Sequence, residues 1–484
     1  MKETRKTEAP RIVVIGGGIS GLAASYRVAE RSAQEGRPVE ILLLEAGTRT
    51  GGSIRTYRRD GFICEGGPDS FISEKPEAVA LARRIGLEKH LIQTTQAHRR
   101  SFIVRNGRLY PVPEGFQLLA PTRFWPFVTT KIFSWPGKAR MALDLILPRR
   151  AAANGADDES LAQFVRRRLG REALERMAQP MVGGIYTSDP ESLSLRATMP
   201  RFLEMERKDR SLLLGMWKAR RKAETNAPQR GTSGARYSLF LSFDEGMQML
   251  VEHLSQRLPS RAVRFQSGVE DLAFDGEKQQ WRVRVVDGET IQGDAVCLAL
   301  PAYAAAKLLR GTDPQLAAEL DAIPYASTAT VNLAYRRADI PHPLDGFGFV
   351  VPFTERRTIL ACTFSSVKFA GRAPEGHALL RAFVGGALQP ETFALDEEAM
   401  TRAVRGDLRA LLGIERPPLF TLVEKWPRSM AQYHLGHLER VRRIRERFSA
   451  FPTLRTAGNA YGGAGIPDCI RSGETAADEL IAAI

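Results

Sequence analysis

Three glycines near the start of the chain have the spacing of a backbone site for a phosphate. Gly16, Gly18 and Gly21 fit the pattern G-x-G-x-x-G, which places a tight turn at the start of a helix. Peptide N–H groups at a helix N-terminus carry a partial positive charge, and they bind a pyrophosphate where no Cβ blocks the approach. Glu45 follows Gly21 by 24 positions, close to the spacing at which a carboxylate binds a ribose. These residues predict a dinucleotide site.

The elements around these residues have the order that such a site requires. Residues 11–15 form a β-branched apolar run that predicts a buried strand, and the sequence from Leu22 onward predicts a helix. Residues 39–44 predict a second buried strand that ends at Glu45. This order is typical of a Rossmann-like unit. The alternative, a glycine-rich turn without a ligand, is disfavoured by the same order.

Three more glycine-rich stretches could contribute to the site. Residues 46–56 place two adjacent glycines between Arg49 and Arg55, which suits either a phosphate contact or a plain loop with solvated arginines. Residues 65–71 (EGGPDSF) predict a turn beside a flat group. Residues 457–473 again combine a strand, a glycine-rich turn and a helix.

The composition limits the class of protein. The 484 residues carry a formal net charge of +14, which is consistent with binding to nucleic acid, anionic lipid or an acidic small molecule. No nucleic-acid recognition module accompanies the charge, so we expect no nucleic acid as partner. The four cysteines include no C-x-x-C pair and predict buried thiols in a reducing cytosol. We expect no metal site.

The cellular location is expected to be cytoplasmic, or peripheral on the inner face of the cell membrane. The charged first ten residues lead directly into the first strand, which leaves no room for a signal peptide. No apolar run approaches the ~18–20 residues that span a bilayer.

An aromatic and basic region favours the peripheral location. Residues 116–147 contain apolar runs with tryptophan and phenylalanine, broken by prolines, and residues 123–222 hold 20 basic and 11 acidic residues, a net charge of +9. Such a segment suits an anionic membrane surface. The alternative is a helical subdomain with a buried apolar face and solvated charges. The polar residues 222–234 predict a linker or a mobile loop.

Five motifs together resemble a known family. They are GGGISGLAASY, GGPDSF, PESLSLRATMPRF at 190–202, WPRSMAQY at 426–433 and GGAGIPDCIRSG at 462–473. The first two resemble the flavin amine oxidase-like superfamily. The whole set resembles the oxygen-dependent porphyrinogen oxidases of haem synthesis, most of all the bacterial members that act on coproporphyrinogen III. Close relatives act on protoporphyrinogen IX.

The resemblance implies that the cofactor is FAD, and it assigns residues by position. The implied FAD contacts are Gly16, Gly17, Gly18, Ile19, Ser20, Gly21, Glu45, Ala46, Gly52, Ser53, Gly67, Pro68, Asp69, Ser70, Val269, Trp426, Asn459, Ala464, Gly465 and Ile466. Val269 is expected near the adenine. The implied substrate pocket contains Gly183, Gly184, Ser101 and Phe347. No catalytic side chain is implied.

The implied reaction is the six-electron oxidation of coproporphyrinogen III to coproporphyrin III, in which O2 is consumed and H2O2 released. A meso carbon gives hydride to the flavin in each of three steps, so the protein mainly orients the substrate. The alternatives are oxidation of protoporphyrinogen IX and, more remotely, a flavin amine oxidase or desaturase. A flavin-fold binding protein without a cofactor is the non-enzymatic alternative. A ferrochelatase that receives the product is a candidate partner.

We predict a mixed α/β (α+β) fold with three parts, two of them discontinuous. A Rossmann-like FAD-binding domain comprises residues 9–95, 235–305 and 446–484. A substrate domain with a mixed sheet comprises a hairpin at 96–114 and residues 306–445. Residues 115–230 form a helical, membrane-associating insertion.

Overall fold

A parallel sheet forms the centre of the first part of the molecule. The computed structural model describes residues 9–117, 120–121, 123–150, 158–226 and 240–484. From edge to edge, the strands of the parallel sheet are Val263–Arg264, Glu40–Leu44, Arg11–Ile15, Ala295–Leu298 and Leu454–Thr456. The first strand of the chain therefore lies in the middle, paired on one side with the next strand, Glu40–Leu44, and on the other with Ala295–Leu298 from a distant segment.

Both faces of this sheet are covered, as a parallel sheet requires. Ile12 and Val14 belong to one core cluster and Val13 and Ile15 to another, so successive residues of one strand are buried on opposite sides. The helices packed around this part of the chain are Ile19–Glu35, Glu77–Arg84, Gln248–Gln256, Ala302–Leu309, Pro314–Asp321, His437–Phe448 and Ile466–Ala483.

Smaller antiparallel sheets extend this part. One joins Phe71–Ile72, Phe240–Phe243 and Leu91–Gln93; another joins Val269–Asp275, Gln280–Val285 and Thr290–Gly293; a hairpin joins Thr56–Arg59 and Phe62–Glu65. The short strand pair Phe116–Gln117 and Ala120–Pro121 lies at the entry to the insertion.

A seven-stranded mixed sheet forms the second part. Its strands, in spatial order, are Phe420–Ala431, Tyr325–Arg336, His377–Gly385, Ile359–Phe364, Gly348–Val350, Phe102–Arg105 and Arg108–Pro111. Only the pair Gly348–Val350 and Phe102–Arg105 is parallel. The last two strands form the predicted hairpin, in which Asn106 and Gly107 both have positive φ, as a tight Asn-Gly turn requires.

The two faces of the mixed sheet have different roles. Val331 and Leu333 pack in a core with Val404 and Leu408 of the helix Glu397–Leu412. The intervening residues of the same strand point to the opposite face, towards the glycine-rich loops of the first part. The predicted mixed α/β fold with a Rossmann-like parallel sheet and a mixed second sheet is confirmed.

The insertion is helical. Its helices are Phe124–Thr129, Trp135–Ala142, Leu161–Arg168, Arg171–Ala173, Gln179–Tyr186, Leu195–Thr198, Pro200–Asp209 and Leu212–Asn226, with a π-helical turn at Leu174–Ala178. The π turn ends two residues before Pro180, whose missing N–H breaks the regular helical bonding. No helix in the described part of the chain is long and apolar enough to cross a membrane.

Two expectations about the insertion need correction. Residues 222–226, predicted as linker, continue the helix Leu212–Asn226, because Lys, Ala and Glu favour helix even where no apolar face is present. Residues 227–234 of that predicted linker lie outside the described residues. The expectation of solvated charges in the insertion is also wrong in part, because one arginine of the insertion is buried. Arg168 and Asp144 are both fully buried, with Arg168 Nε donating to Asp144 Oδ1 at 2.6 Å.

Candidate functional site

The first glycine turn is shaped by close backbone packing on two sides and open space on the third. Gly16 has φ +105°, and a Cβ there would overlap the carbonyl oxygen of Ala299. A Cβ at Gly21 would overlap the carbonyl oxygen of Gly16. Around Gly18, in contrast, no atom lies within 4 Å of the position of a Cβ. Gly18 therefore leaves room for a ligand, while Gly16 and Gly21 let the chain turn and pack.

The helix that starts at this turn has no side-chain cap at its N-terminus. Gly18 caps the helix Ile19–Glu35 without a side-chain hydrogen bond, and the first turn contains no acidic residue. The first N–H groups of a helix have no partner within the helix. An anion in the open space beside Gly18 would accept hydrogen bonds from them and interact favourably with the helix dipole.

Glu45 is oriented by the backbone around it. Its Oε2 accepts a hydrogen bond from the N–H of Gly17 at 2.8 Å, and its Oε1 accepts one from Gly47 at 2.7 Å. A carboxylate has about four acceptor positions, so Glu45 can also accept from a ribose. The segment before Val269 lies alongside, because Ser267 N–H donates to the Glu45 carbonyl at 2.9 Å.

The loop after Glu45 folds over the glycine turn. Gly51 N–H donates to the Gly17 carbonyl at 2.7 Å, and Gly52 approaches Gly18 closely. The Arg49 guanidinium donates to the carbonyls of its own loop, at 3.0 Å to Ile54 and 2.7 Å to Gly52. Arg49 thus shapes this loop, and its burial lowers the pKa of the guanidinium.

The loop at 65–70 is held by side chains of the mixed sheet. The Gly66 carbonyl accepts hydrogen bonds from Thr330 Oγ1 at 2.7 Å and from Trp426 Nε1 at 2.8 Å. Asn332 Nδ2 donates to the Glu65 carbonyl at 3.0 Å. A Cβ at Gly67 would overlap the Ser53 carbonyl oxygen, so this loop packs directly on the one that follows Glu45.

Asp69 anchors the same loop through buried charges. Lys368 Nζ contacts both carboxylate oxygens of Asp69, at 3.0 and 2.9 Å, and Arg381 Nη1 lies 3.7 Å from Oδ2. Arg381 also donates to the Gly67 carbonyl. Burial alone would raise the pKa of Asp69, but the two cations reverse this and hold the pKa well below its usual range.

The helices that follow the first and last glycine turns pack against each other. A Cβ at Gly473 would overlap the Ser20 carbonyl oxygen, so the helix Ile466–Ala483 packs tightly on the helix Ile19–Glu35. Gly465 caps its helix without a side-chain hydrogen bond, and Asn459 Nδ2 donates to the Ser429 carbonyl at 3.0 Å. The strands that precede the first and last glycine turns lie parallel to Ala295–Leu298 on either side of it, so both turns leave the same edge of the parallel sheet.

The four predicted substrate-pocket residues lie around one end of the mixed sheet. Gly183 and Gly184 lie in the helix Gln179–Tyr186, and a Cβ at Gly184 would be 4.0 Å from Val350. Phe347 N–H donates to the carbonyl of Arg100, the neighbour of Ser101, at 2.8 Å. Ser101 and Phe347 are both buried. Half-buried side chains on the same sheet face, such as Thr363 and Phe383, offer more surface to a ligand.

Sequence reasoning missed the side chains that hold the 65–70 loop. Thr330, Lys368 and Arg381 are hundreds of residues from that loop in sequence. Arg381 carried a signal, because it is the only charged residue inside the strand HALLRAFVG and a charge in a buried strand needs a partner. The sequence around Lys368 and Thr330 contains no such signal. Within the described residues, no cluster of His, Cys, Asp or Glu could hold a metal ion.

Comparisons with known proteins agree with this geometry. The family model for flavin containing amine oxidoreductases matches residues 19–481. A coproporphyrinogen III oxidase of Bacillus subtilis is 36% identical, over 97% of each chain. A protoporphyrinogen oxidase of Bos taurus is 32% identical, over 97% of this chain and 98% of the relative. A crystal structure from Exiguobacterium, provisionally named protoporphyrinogen oxidase, superposes with a TM-score of 0.85 at 31% identity and covers 98% of this chain and 99% of its own.

Proposed function

The chain belongs to the flavin containing amine oxidoreductase family, and on this premise we propose that it is an FAD-dependent porphyrinogen oxidase of haem synthesis. The preferred substrate is coproporphyrinogen III, which it oxidises by six electrons to coproporphyrin III while O2 is reduced to H2O2. The observation that carries this proposal is that the first and last glycine turns leave the same edge of the parallel sheet, with open space at Gly18 and a neighbouring loop held by the mixed sheet.

FAD fits the residues on this face. The open space at Gly18 and the uncapped helix behind it suit the pyrophosphate, and Glu45 suits a ribose. The loop at 67–70, Trp426 and the turn at 459–466 would hold the flavin end, with Val269 at the adenine end. When bound, FAD supplies the hydride acceptor and the site at which O2 is reduced. The chain's own part is to bind and orient the substrate and to exclude water.

The choice of substrate rests on similarity and on charge. The relative that acts on coproporphyrinogen III is the more similar of the two curated relatives compared. Coproporphyrinogen III has four propionates, which suits a chain of net charge +14. Arg100, adjacent to the pocket residue Ser101, is already paired with Asp345, so it is not assigned to a propionate.

Aerobic incubation with each porphyrinogen tests the function. We expect fluorescent coproporphyrin III to accumulate with three molecules of H2O2 per porphyrin, which is the balance of a six-electron oxidation. Protoporphyrinogen IX is expected to react more slowly, and polyamines to give no H2O2. Faster oxidation of protoporphyrinogen IX would reverse the choice of substrate, and peroxide formation from polyamines alone would exclude a porphyrinogen oxidase.

An exposed aromatic surface supports a second element of the proposal, attachment to an anionic membrane. Phe124, Trp125, Trp135 and Ile146 are 71%, 72%, 70% and 67% exposed. Lys138 Nζ lies 4.5 Å from the Trp135 ring and donates to the Val128 carbonyl at 2.6 Å, so the helices that carry these residues are neighbours. Aromatic side chains and cations together suit the headgroup region of a bilayer.

Vesicle flotation tests this attachment. Vesicles with anionic phosphatidylglycerol are expected to carry the protein, and vesicles of phosphatidylcholine alone are expected to carry little of it, because basic residues near an anionic surface contribute about 1 kcal/mol each. The variant W125A/W135A is expected to float less. Equal flotation of both vesicle types would contradict an electrostatic attachment.

The fate of the product defines one further partner. Metal-free porphyrin is the substrate of a ferrochelatase, and we place hand-off to such an enzyme next in the sequence of reactions. Adding a ferrochelatase is expected to speed the release of coproporphyrin during turnover; an unchanged release rate would contradict direct transfer.

A further inference from the structure

The side chain of Tyr433 contacts two residues of the C-terminal glycine turn. The side chain is 3% exposed. Its hydroxyl donates a hydrogen bond to the carbonyl of Asn459 and accepts one from the N–H of Gly463 at 3.1 Å. The two partners lie at the start and near the end of the turn that leads into the helix Ile466–Ala483. One hydroxyl therefore fixes both ends of this turn.

Tyr433 and its neighbours in sequence connect the turn to the insertion. Ser194 N–H donates to the Tyr433 carbonyl at 2.8 Å, and the next residue, His434, forms a bridge with Leu193. On the other side, Gln432 Nε2 donates to the carbonyl of Tyr186 at 3.2 Å. Tyr186 ends the helix that carries Gly183 and Gly184, so adjacent residues hold the proposed flavin turn and the proposed substrate helix.

The ring of Tyr433 is itself held rigidly. It stacks on the imidazole of His437, with 4.3 Å between ring centroids and 12° between ring planes. His437 is 4% exposed, and burial lowers its pKa to about 4, so the imidazole is neutral at physiological pH. The stack restricts the phenol ring, and the hydroxyl can then keep both hydrogen bonds at once.

We propose that Tyr433 is a positioning residue, whose hydroxyl sets the turn at 459–463 against the flavin and in register with the helix that lines the substrate pocket. This inference rests on the proposed function, because it takes that turn as part of the FAD site. Tyr433 touches neither substrate nor flavin in this role. It acts through the backbone atoms of Asn459 and Gly463.

The variant Tyr433→Phe tests the proposal in the full-length FAD-loaded protein. It removes the hydroxyl and keeps the stack on His437. Loss of two hydrogen bonds predicts FAD binding about 10-fold weaker, a kcat about 10-fold lower with KM within about 3-fold, and a shift of the visible flavin absorption bands. Tyr335→Phe is the control, since Tyr335 is equally buried but lies in the core on the far face of the mixed sheet, and we expect it to behave like wild type.

Several outcomes would overturn the proposal. One is wild-type FAD affinity, kcat and flavin spectrum in Tyr433→Phe; another is an equal loss in Tyr335→Phe. If Tyr433→Phe does not fold, 3-fluorotyrosine at position 433 keeps the test open: its ¹⁹F resonance is expected to shift when FAD is removed and to return when FAD is restored. The same label at position 335 is expected to stay unchanged, and no shift at 433 would refute the proposal.

The FAD measurements need no porphyrinogen, so the two proposals fail differently. A wild-type protein that binds FAD but oxidises no porphyrinogen refutes the proposed function and leaves the Tyr433 test readable. A wild-type protein that binds no FAD refutes both.

Discussion

The glycine turn at 16–21 and the loop at 65–70 lie on the same face but are built in opposite ways. The first is shaped by backbone atoms, and the residues that give it form are glycines whose Cβ positions would meet main-chain carbonyls. The second is held by side chains of Thr330, Lys368 and Trp426, far away in sequence. A backbone site depends on local sequence, whereas a site held by side chains depends on how two sheets pack together.

The strongest test of the backbone packing in the glycine turn at 16–21 is Gly21→Ala. The new Cβ would overlap the Gly16 carbonyl oxygen, so the helix Ile19–Glu35 must move away from the first strand. We expect a loss of about 3 kcal/mol in the free energy of unfolding, the upper range for overpacking, together with loss of FAD binding. Urea denaturation measures the first effect. Gly311→Ala, where a Cβ meets no atom within 4 Å, is the matched control and should be near neutral.

The strongest test of the side chains that hold the loop at 65–70 is Lys368→Met. It removes one of two cations from the half-buried carboxylate of Asp69. Breaking a buried ion pair from one side costs about 3 kcal/mol or more, and we expect a loss of this size in the free energy of unfolding. Lys307→Met, at an exposed lysine, is the control. An unchanged stability in Lys368→Met would mean that Arg381 alone satisfies Asp69.

Gly18→Ala distinguishes an effect on FAD binding from an effect on the stability of the glycine turn. The Cβ would meet no protein atom within 4 Å, so we expect the apoprotein to unfold at the wild-type urea concentration. The same methyl group would occupy space that the pyrophosphate needs, and we expect FAD to bind about 30-fold more weakly, which corresponds to about 2 kcal/mol. Titration of the apoprotein with FAD gives the affinity. Equal losses in apoprotein stability and FAD affinity would show that Gly18 acts like Gly21.

The structure of the glycine turn at 16–21 could largely be predicted from the sequence, whereas the contacts that hold the loop at 65–70 could not. The spacing of Gly16, Gly18 and Gly21 and the strand before them specify a turn whose geometry is local, so the Rossmann-like unit could be predicted. The partners of Asp69 could not, because they depend on the register of strands such as His377–Gly385 in the mixed sheet. The helix at 222–226 was missed since its polar sequence fits a solvated helix and a linker equally well.

The pH dependence of stability should reveal the charge network at Asp69. Because the pKa of this carboxyl is lowered in the folded protein, its ionised form stabilises the fold above the unfolded pKa of about 3.9. That contribution is lost as the pH falls below this value towards the folded pKa. Asp69→Asn is expected to reduce the slope of unfolding free energy against pH there by up to about 1.4 kcal/mol per pH unit. Identical slopes in both proteins between pH 2 and 4 would contradict the role of Asp69.

The smallest expected effect tests whether the donors to Gly66 act independently. The buried carbonyl of Gly66 accepts from Thr330 and from Trp426, so Thr330→Val leaves one donor in place and is expected to cost about 1 kcal/mol in unfolding free energy. Trp426→Phe likewise leaves Thr330. In the double variant the carbonyl has neither donor, and a buried acceptor without a partner costs about 1–3 kcal/mol on its own. The double variant should therefore lose more than the sum of the two single losses, as urea denaturation of all four proteins would show. Strict additivity would mean that water replaces the missing donors, and that the 65–70 loop is less completely enclosed by the mixed sheet than its contacts indicate.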